Sequence, residues 1–405
     1  MKVLVAGAGI GGLTTALSLH EAGIDVQVID RVDELRPLGV GINLLPHATG
    51  ALTELGLGDA LAAGAVATAE LVHFDRFGNE IWREPRGIAA GHAFPQYSVH
   101  RGRLQAMLLD TVRERLGADA VRTGCRFTTA IQEDDTVRAV IGDPRDGSSR
   151  EMTADVLIGA DGLHSAVRAH LYPDEGPPRW NGIRMWRGVA AAPPFLTGAS
   201  MVMAGSNHAA KIVAYPLSVP ARPGDTVPVN WVAEVQLPEG GQGEANWTRT
   251  GRLDDVLPYY KGWRIGDLDV EDLIAGSETI LEYPMVDREP LARWSFGRIT
   301  LLGDAAHPMY PIGSNGGSQA ILDARTVAAE LARASDPVAG LAAYESVRRE
   351  SANAVVLANR NMPMDRTLRT VAERAPDGFT RIEDVLTEAE LQAITDGYRR
   401  TSAVR

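Results

Sequence analysis

The segment Gly7-Ala8-Gly9-Ile10-Gly11-Gly12 has the spacing G-x-G-x-x-G, with an apolar run before it and a helical pattern after it. That arrangement suits a pyrophosphate. Gly7 permits a tight turn, Gly9 lets backbone approach the phosphates, and Gly12 allows close packing of helix on strand. The helix start offers free N–H groups and partial positive charge. Asp30 stands about 18 residues beyond Gly12, where a carboxylate accepts ribose hydroxyls. Two more carboxylates follow apolar runs: Asp161 after Val156-Leu157-Ile158-Gly159-Ala160, and Asp304 after Ile299-Thr300-Leu301-Leu302-Gly303. The pattern predicts a dinucleotide site rather than a merely structural glycine turn. The glycine motif alone does not separate FAD from NAD.

Strands and helices must hold these groups in place. Val3 to Ala6 reads as a buried strand, Leu13, Ala16, Leu17 and Ala22 recur at helical spacing, and Gly23 is a stop. Val26, Val28 and Ile29 return as a strand ending at Asp30. Strands alternating with helices point to a parallel, doubly wound α/β sheet, and three strands ending in an aspartate turn suggest one sheet edge that collects a ligand. Residues 181–285 differ. They carry Trp186, Tyr215, Trp231, Trp263 and Tyr283, with strand-like runs at 211–215 and 229–233 between turns such as Arg222-Pro223-Gly224. This predicts an inserted antiparallel sheet. From Ser318 onward the pattern is helical, and a last helix is expected near Leu386 to Tyr398.

Composition narrows the class. The chain has 405 residues, 45% hydrophobic and 23% charged, which suits a globular protein and excludes a disordered one. A formal charge of −12 argues against a dedicated nucleic-acid binder, which needs a basic face. The single cysteine, Cys125, excludes an internal disulfide and suits a reducing compartment. No histidine pair has a metal-ligand spacing such as H-E-x-x-H, so no metal is expected. With no leader-like start and no long apolar run, the expectation is a soluble, cytoplasmic protein without a membrane span.

Together, the glycine motif, Gly159-Ala160-Asp161-Gly162-Leu163-His164-Ser165 and Gly303-Asp304-Ala305-Ala306-His307-Pro308 resemble the FAD-dependent single-component aromatic hydroxylases of the para-hydroxybenzoate hydroxylase fold. Within that family the chain resembles most the phenazine-carboxylate hydroxylases, through segments such as Arg36-Pro37-Leu38-Gly39-Val40-Gly41-Ile42-Asn43, Met185-Trp186-Arg187-Gly188-Val189 and Ser318-Gln319-Ala320-Ile321-Leu322-Asp323. The resemblance implies a Rossmann-like FAD-binding domain formed by residues 1–75, 98–180 and 284–340. An inserted antiparallel-sheet substrate domain takes 76–97 and 181–283, and C-terminal helices take 341–405.

It also implies site residues. Gly7, Gly9, Gly12, Asp30, Arg31, Gly41, Arg101, Phe127, Asp161, Asp304, Gly313, Asn315, Gly316 and Gly317 would bind FAD. Arg101 would face the pyrophosphate or ribityl chain, Asp304 would accept a ribityl hydroxyl, and Gly41 would let the flavin lie against backbone. The loop 311–317 would border the pyrimidine edge, where N–H groups and the helix dipole stabilise negative charge on reduced flavin. Asn315 and Ser318 stand where the family often has further glycines. The bland alternatives are a capping role for Asp161 or Asp304, a surface arginine at 101 and a core aromatic at Phe127.

The implied cycle consumes NADH or NADPH and O2. A flavin C4a-hydroperoxide hydroxylates a small aromatic substrate, with decarboxylation left open. A reductase or dehydrogenase of the same fold, without oxygen insertion, is the alternative. Leu45, Trp186, Arg187, Met203, Lys211, Trp231 and Met309 are candidate substrate contacts, Arg187 or Lys211 for a carboxylate. Tyr215, Tyr310 and Pro311 are the candidates for the catalytic region, either tyrosine polarising a substrate hydroxyl. Ordinary sheet core is the competing explanation for the apolar members. A monomer or homodimer is expected.

Overall fold

The computed structural model describes residues 1–37, 39–206, 209–237, 249–361 and 363–394. Leu38, and the expected last helix beyond residue 394, lie outside the described residues. Within them that helix begins at residue 388.

Five parallel strands form the nucleotide-side sheet, in the order Ile299–Leu301, Val156–Gly159, Lys2–Ala6, Asp25–Ile29, Val121–Arg122. Val3, Val5, Val28, Leu157, Ile158 and Leu301 are all buried, as a sheet covered on both faces requires. The helix Ile10–Glu21 follows the first strand, and Gly23, at φ +73°, turns the chain into the second. Strand order reverses at Lys2–Ala6, with later strands added to one side and earlier ones to the other. A ligand crevice belongs at such a switch point, beyond the carboxyl ends.

A second sheet has seven strands, in the order Ile280–Asp287, Arg179–Ala192, Val227–Gln236, Ala210–Pro216, Ser200–Ser206, Glu70–Phe74, Glu80–Pro85. It extends past the expected boundaries: residues 70–74 and 284–287 belong to this sheet, not to the nucleotide-side one. It is also not wholly antiparallel. Ser200–Ser206 pairs in parallel with Glu70–Phe74. A parallel pair needs a long crossover, and the chain from Phe74 to Ser200 supplies it by passing through the parallel sheet.

Period-two alternation gives this long sheet two different faces. Trp186, Ile212, Ala214, Val229, Trp231 and Ala233 pack on the outer face beneath Val256, Tyr260, Trp263, Leu273 and Ile274. Met185, Val213, Tyr215, Val232, Tyr283 and Met285 form the inner face, which meets Tyr310 and Ile312. Beyond the long helices Asn315–Arg333 and Pro337–Asn361, a helix Pro363–Arg374 packs through Leu368 and Val371 against Ile81 and Trp82. Among the described residues, no helix is long and apolar enough to cross a membrane.

Candidate active site

The glycine loop closes tightly on itself. Gly7 sits at φ +110°, and a Cβ there would lie 2.3 Å from the Ala160 carbonyl oxygen. At Gly12 a Cβ would lie 1.9 Å from the Gly7 carbonyl oxygen, so neither position admits a side chain. Gly9 is different: its Cβ would meet nothing within 4 Å. The helix after it has no side-chain cap, which leaves its first N–H groups for a ligand. Asp30 accepts from the Ala8 N–H at 2.7 Å and the Val32 N–H at 3.0 Å, pinning the loop to the end of the second strand. Arg31 is exposed beside it.

Asp161 behaves as a cap. Its carboxylate accepts from the Ser165 hydroxyl and from the Ala166 and Val167 N–H groups, at 2.7 and 3.2 Å for the latter two. It therefore holds the start of the helix Ala166–Leu171, and only the backbone of its turn borders Gly7. Phe127 lies with its side chain in the core, edge-on to His170.

Asp304 is the opposite case. Its side chain is exposed to the crevice, and the protein packed around that crevice raises its pKa. No hydrogen-bond donor among the described residues reaches its carboxylate; Arg101 and His307 act on it only through their charge. Arg101 itself is exposed. Gly316 borders Asp304, its Cβ position 3.8 Å from Oδ1. Nearby, Gly313 and Ser314 both take left-handed backbone, at φ +67° and +60°. For a serine this is a strained setting, and it aims the start of Asn315–Arg333 at the crevice with no side-chain cap. Ser318 Oγ accepts from the Leu45 N–H at 3.0 Å and donates to the Ser314 carbonyl at 3.1 Å, tying that helix start to the strand Gly41–Leu44.

These features fit an FAD. The uncapped helix and open Gly9 suit a diphosphate, the unpartnered Asp304 carboxylate suits ribityl hydroxyls, and the N–H groups of Asn315, Gly316 and Gly317 suit an anionic pyrimidine edge.

Gly41 has a reason of its own. A Cβ there would lie 2.7 Å from the Tyr215 ring and 2.8 Å from Asn230. Its N–H donates to Asn230 Oδ1 at 2.7 Å, and its carbonyl accepts from Arg187 Nη2 at 2.8 Å. The close approach seen here is to the long sheet. The charge of Arg187 also acts on the Tyr215 hydroxyl, while its Nε is buried without a hydrogen-bond partner. Burial pushes the Tyr215 phenol up to about 12. Burial, then the nearby Asp287, does the same at Tyr310. Both therefore stay protonated donors near neutral pH.

The inner face of the long sheet meets the loop Met309–Ile312 through Tyr310 and Ile312, with Tyr215 and Met203 in the same cluster. Met309 packs instead with Val355 and Val356, Pro311 is exposed on the loop, and Leu45 is tied to the helix start by Ser318. Three expected contacts are engaged elsewhere. Trp186 and Trp231 point to the outer face, where the Trp231 indole donates to Ser277 Oγ at 2.8 Å. Trp186 neighbours Arg187 in one strand, so the two must face opposite ways. Lys211 shares the inner face, but its ammonium is held by Glu234 at 2.8 Å and Asp365 at 2.6 Å, so it is not free for a substrate carboxylate.

Sequence reading missed the groups that set the Asp304 turn. Asp323 Oδ2 accepts from the Gly303 N–H at 2.9 Å and meets His307 Nε2 at 2.5 Å, while Arg348 donates to Oδ1 at 2.9 Å. Burial alone would raise the pKa of Asp323; His307, Arg348 and the Gly303 N–H reverse that and hold it at about 2. Arg168, also buried, donates to the Ala305 and Ala306 carbonyls at 3.0 and 2.9 Å. The available signal was Gln319 and Asp323, polar residues one turn apart on the apolar face of a helix.

Known proteins share this arrangement. Residues 1–359 match the family model described as FAD binding domain. The chain is 49% identical over 402 residues to phenazine 1,6-dicarboxylic acid hydroxylase PhzS of Lysobacter antibioticus, covering 98% of this chain and 96% of that one. It is 33% identical over 352 residues to 3-hydroxybenzoate 6-hydroxylase 1 of Aquipseudomonas alcaligenes, covering 86% and 84%. Among solved structures, Klebsiella pneumoniae HpxO complexed with FAD and uric acid superposes with a TM-score of 0.76 at 27% identity, covering 99% of this chain and 92% of that one. An open glycine loop, an unpartnered aspartate and an uncapped helix around one crevice therefore have their explanation in descent: the chain belongs to the FAD-dependent aromatic hydroxylases.

Proposed function

We propose that this enzyme hydroxylates a flat aromatic acid of the phenazine-carboxylate type, at the expense of NADH or NADPH and O2. The observation that carries the substrate class is the inner face of the long sheet. It is apolar through Met185, Val213, Val232 and Met203, and has one cation with a buried, unpartnered N–H, Arg187. The likeness to the phenazine dicarboxylate enzyme supports the same class.

The chemistry a bound FAD supplies is oxygen activation driven by reduced nicotinamide; the chain's residues do the rest. Gly7, Gly9, Gly12, Asp30 and Arg31 hold the nucleotide end, with Arg101 at the diphosphate. Asp304 holds the ribityl chain. The N–H groups at 315–317 stabilise anionic charge on the pyrimidine edge. Arg187 takes the substrate carboxylate, a charge-assisted contact that fixes ring orientation. Tyr215 donates a hydrogen bond to substrate oxygen or nitrogen. Met309, Tyr310 and Pro311 cover the reacting ring and exclude water. The balance is ArH + NAD(P)H + H⁺ + O2 giving ArOH + NAD(P)⁺ + H2O. The same reading places the enzyme in the cytoplasm as a monomer or homodimer.

The test is a screen of phenazine carboxylates, salicylates and hydroxybenzoates for stimulation of NADH and NADPH oxidation, with mass spectrometry of products. The expected result is a product heavier by one oxygen; replacement of a carboxylate by hydroxyl marks decarboxylating hydroxylation. Reduction of an aromatic without O2 uptake overturns the proposal.

A further inference from the structure

The inner face of the long sheet is laid out in rows. Val189, Asn230 and Tyr215 form one row beside Gly41; Arg187, Val232 and Val213 form the next; Met185, Glu234 and Lys211 form the third. Tyr215 and Lys211 are four residues apart in one strand, about 13 Å at ~3.3 Å per residue. That span is comparable with the long axis of three fused six-membered rings. Its middle is lined by Val213 and Val232, with Met203 beside Val213 in the next strand.

The far end is closed from outside the matched family region. That region ends at residue 359, and the helix Pro363–Arg374 follows it. Asp365, in the first turn of this helix, reaches the inner face and bonds Lys211 Nζ at 2.6 Å. Lys211, Glu234 and Asp365 are 1%, 3% and 9% exposed, so this is a buried joint between helix and sheet. Met203 packs both with the inner-face cluster and with Leu368 and Val371 of the same helix. Two carboxylates meet one ammonium here. Lys211 keeps Glu234 as a partner without Asp365, so the pairing to Asp365 serves to seat the helix.

We propose that the helix Pro363–Arg374 is the far wall of the substrate pocket, and that the Lys211–Asp365 ion pair, by seating it, fits the pocket to a three-ring acid over a one-ring acid. This rests on the proposed function. Asp365 is a positioning residue: it acts through the helix it seats. A three-ring acid anchored at Arg187 reaches the wall; a one-ring acid held at the same place does not.

The test uses the FAD-loaded full chain and two probes, phenazine-1-carboxylate and 3-hydroxybenzoate. Dissociation constants come from perturbation of flavin absorption, and KM and kcat from NADH oxidation. Asp365→Asn is expected to weaken the phenazine acid about tenfold while moving the benzoate by less than about twofold, with the change in KM and not kcat. Asp365→Glu, which keeps the charge, is expected to restore most of the difference. Glu390→Gln breaks an exposed ion pair with Arg374, the last residue of the same helix at the end opposite Asp365, and is expected to leave the ratio alone. An unchanged ratio in Asp365→Asn overturns the proposal. So does an equal shift in Glu390→Gln, which would mark general loosening, or a wild type that binds both acids equally. A wild type that binds neither overturns the proposed function as well.

Discussion

Replacing Asp323 by Asn tests the physical account of the cofactor turn. The buried carboxylate pairs with His307 and Arg348 and accepts from the Gly303 N–H. Folding lowers its pKa from 3.8 to about 2, which corresponds to about 2 kcal/mol at neutral pH. Removing one partner of a buried ion pair costs about 3–5 kcal/mol, and an amide keeps part of the contact, so about 3 kcal/mol is expected. With an unfolding entropy of about 2.1 cal/mol/K per residue over 405 residues, Tm falls by about 3–4 °C. Because the folded pKa is depressed, the contribution is complete above about pH 4 and is lost as pH falls through about 2. Wild type and variant should therefore converge in acid. Thermal melts by circular dichroism between pH 3 and 8 give the gap, and flavin fluorescence gives cofactor release. A gap under about 1 °C at pH 7, or one that widens towards pH 3, would refute the reasoning.

Other substitutions separate cofactor, acid stability and packing. Asp304→Ala removes an acceptor that has no partner among the described residues, so FAD should bind about 30-fold more weakly, a charged hydrogen bond of about 2 kcal/mol, with the apoprotein's Tm not lowered; fluorescence titration and a melt measure both. His73 is fully buried, and burial, with Arg86 nearby, lowers its pKa from 6.5 to about 3. The folded form resists protonation, so stability is complete above about pH 6.5 and falls as pH drops towards 3; His73→Leu should remove about 3 kcal/mol of acid sensitivity between pH 6.5 and 4, read by urea melts across pH. Trp231→Phe loses the bond to Ser277 on the outer face and should cost about 1–2 kcal/mol of stability while leaving KM for the aromatic substrate unchanged.

The parts of the site legible in the sequence are those whose chemistry is local. Gly7 and Gly12 are required by contacts within one turn and its neighbour, and Asp304 stands at the end of a buried strand. Trp186 and Trp231 were misplaced because aromatic character says nothing about which face of a strand a residue takes. The alternation of Trp186 with Arg187 contained the correction, since adjacent residues cannot share a face. At Asp161 the structure shows the capping alternative: Ser165, four residues on, begins the helix both of them cap. Arg348 and Arg168 were not legible at all. Their partners, Asp323 and the Ala305 and Ala306 carbonyls, are brought to them only by the tertiary fold. The strand Glu70–Phe74 was given to the wrong sheet because its register with Ser200–Ser206 depends on a crossover that no local pattern records.

The order of strands in the parallel sheet bears on how the enzyme matures in the cell. The strand that emerges first, Lys2–Ala6, lies at the centre, and one neighbour, Val156–Gly159, is made much later. The strand leading to Asp304 comes later still, and the uncapped helix Asn315–Arg333 follows it. At about 5–20 residues per second the ribosome needs tens of seconds to deliver them all. A nascent chain can thus present its glycine loop long before it can present Asp304 and the uncapped helix, so on the proposed reading the cofactor is enclosed only late in synthesis.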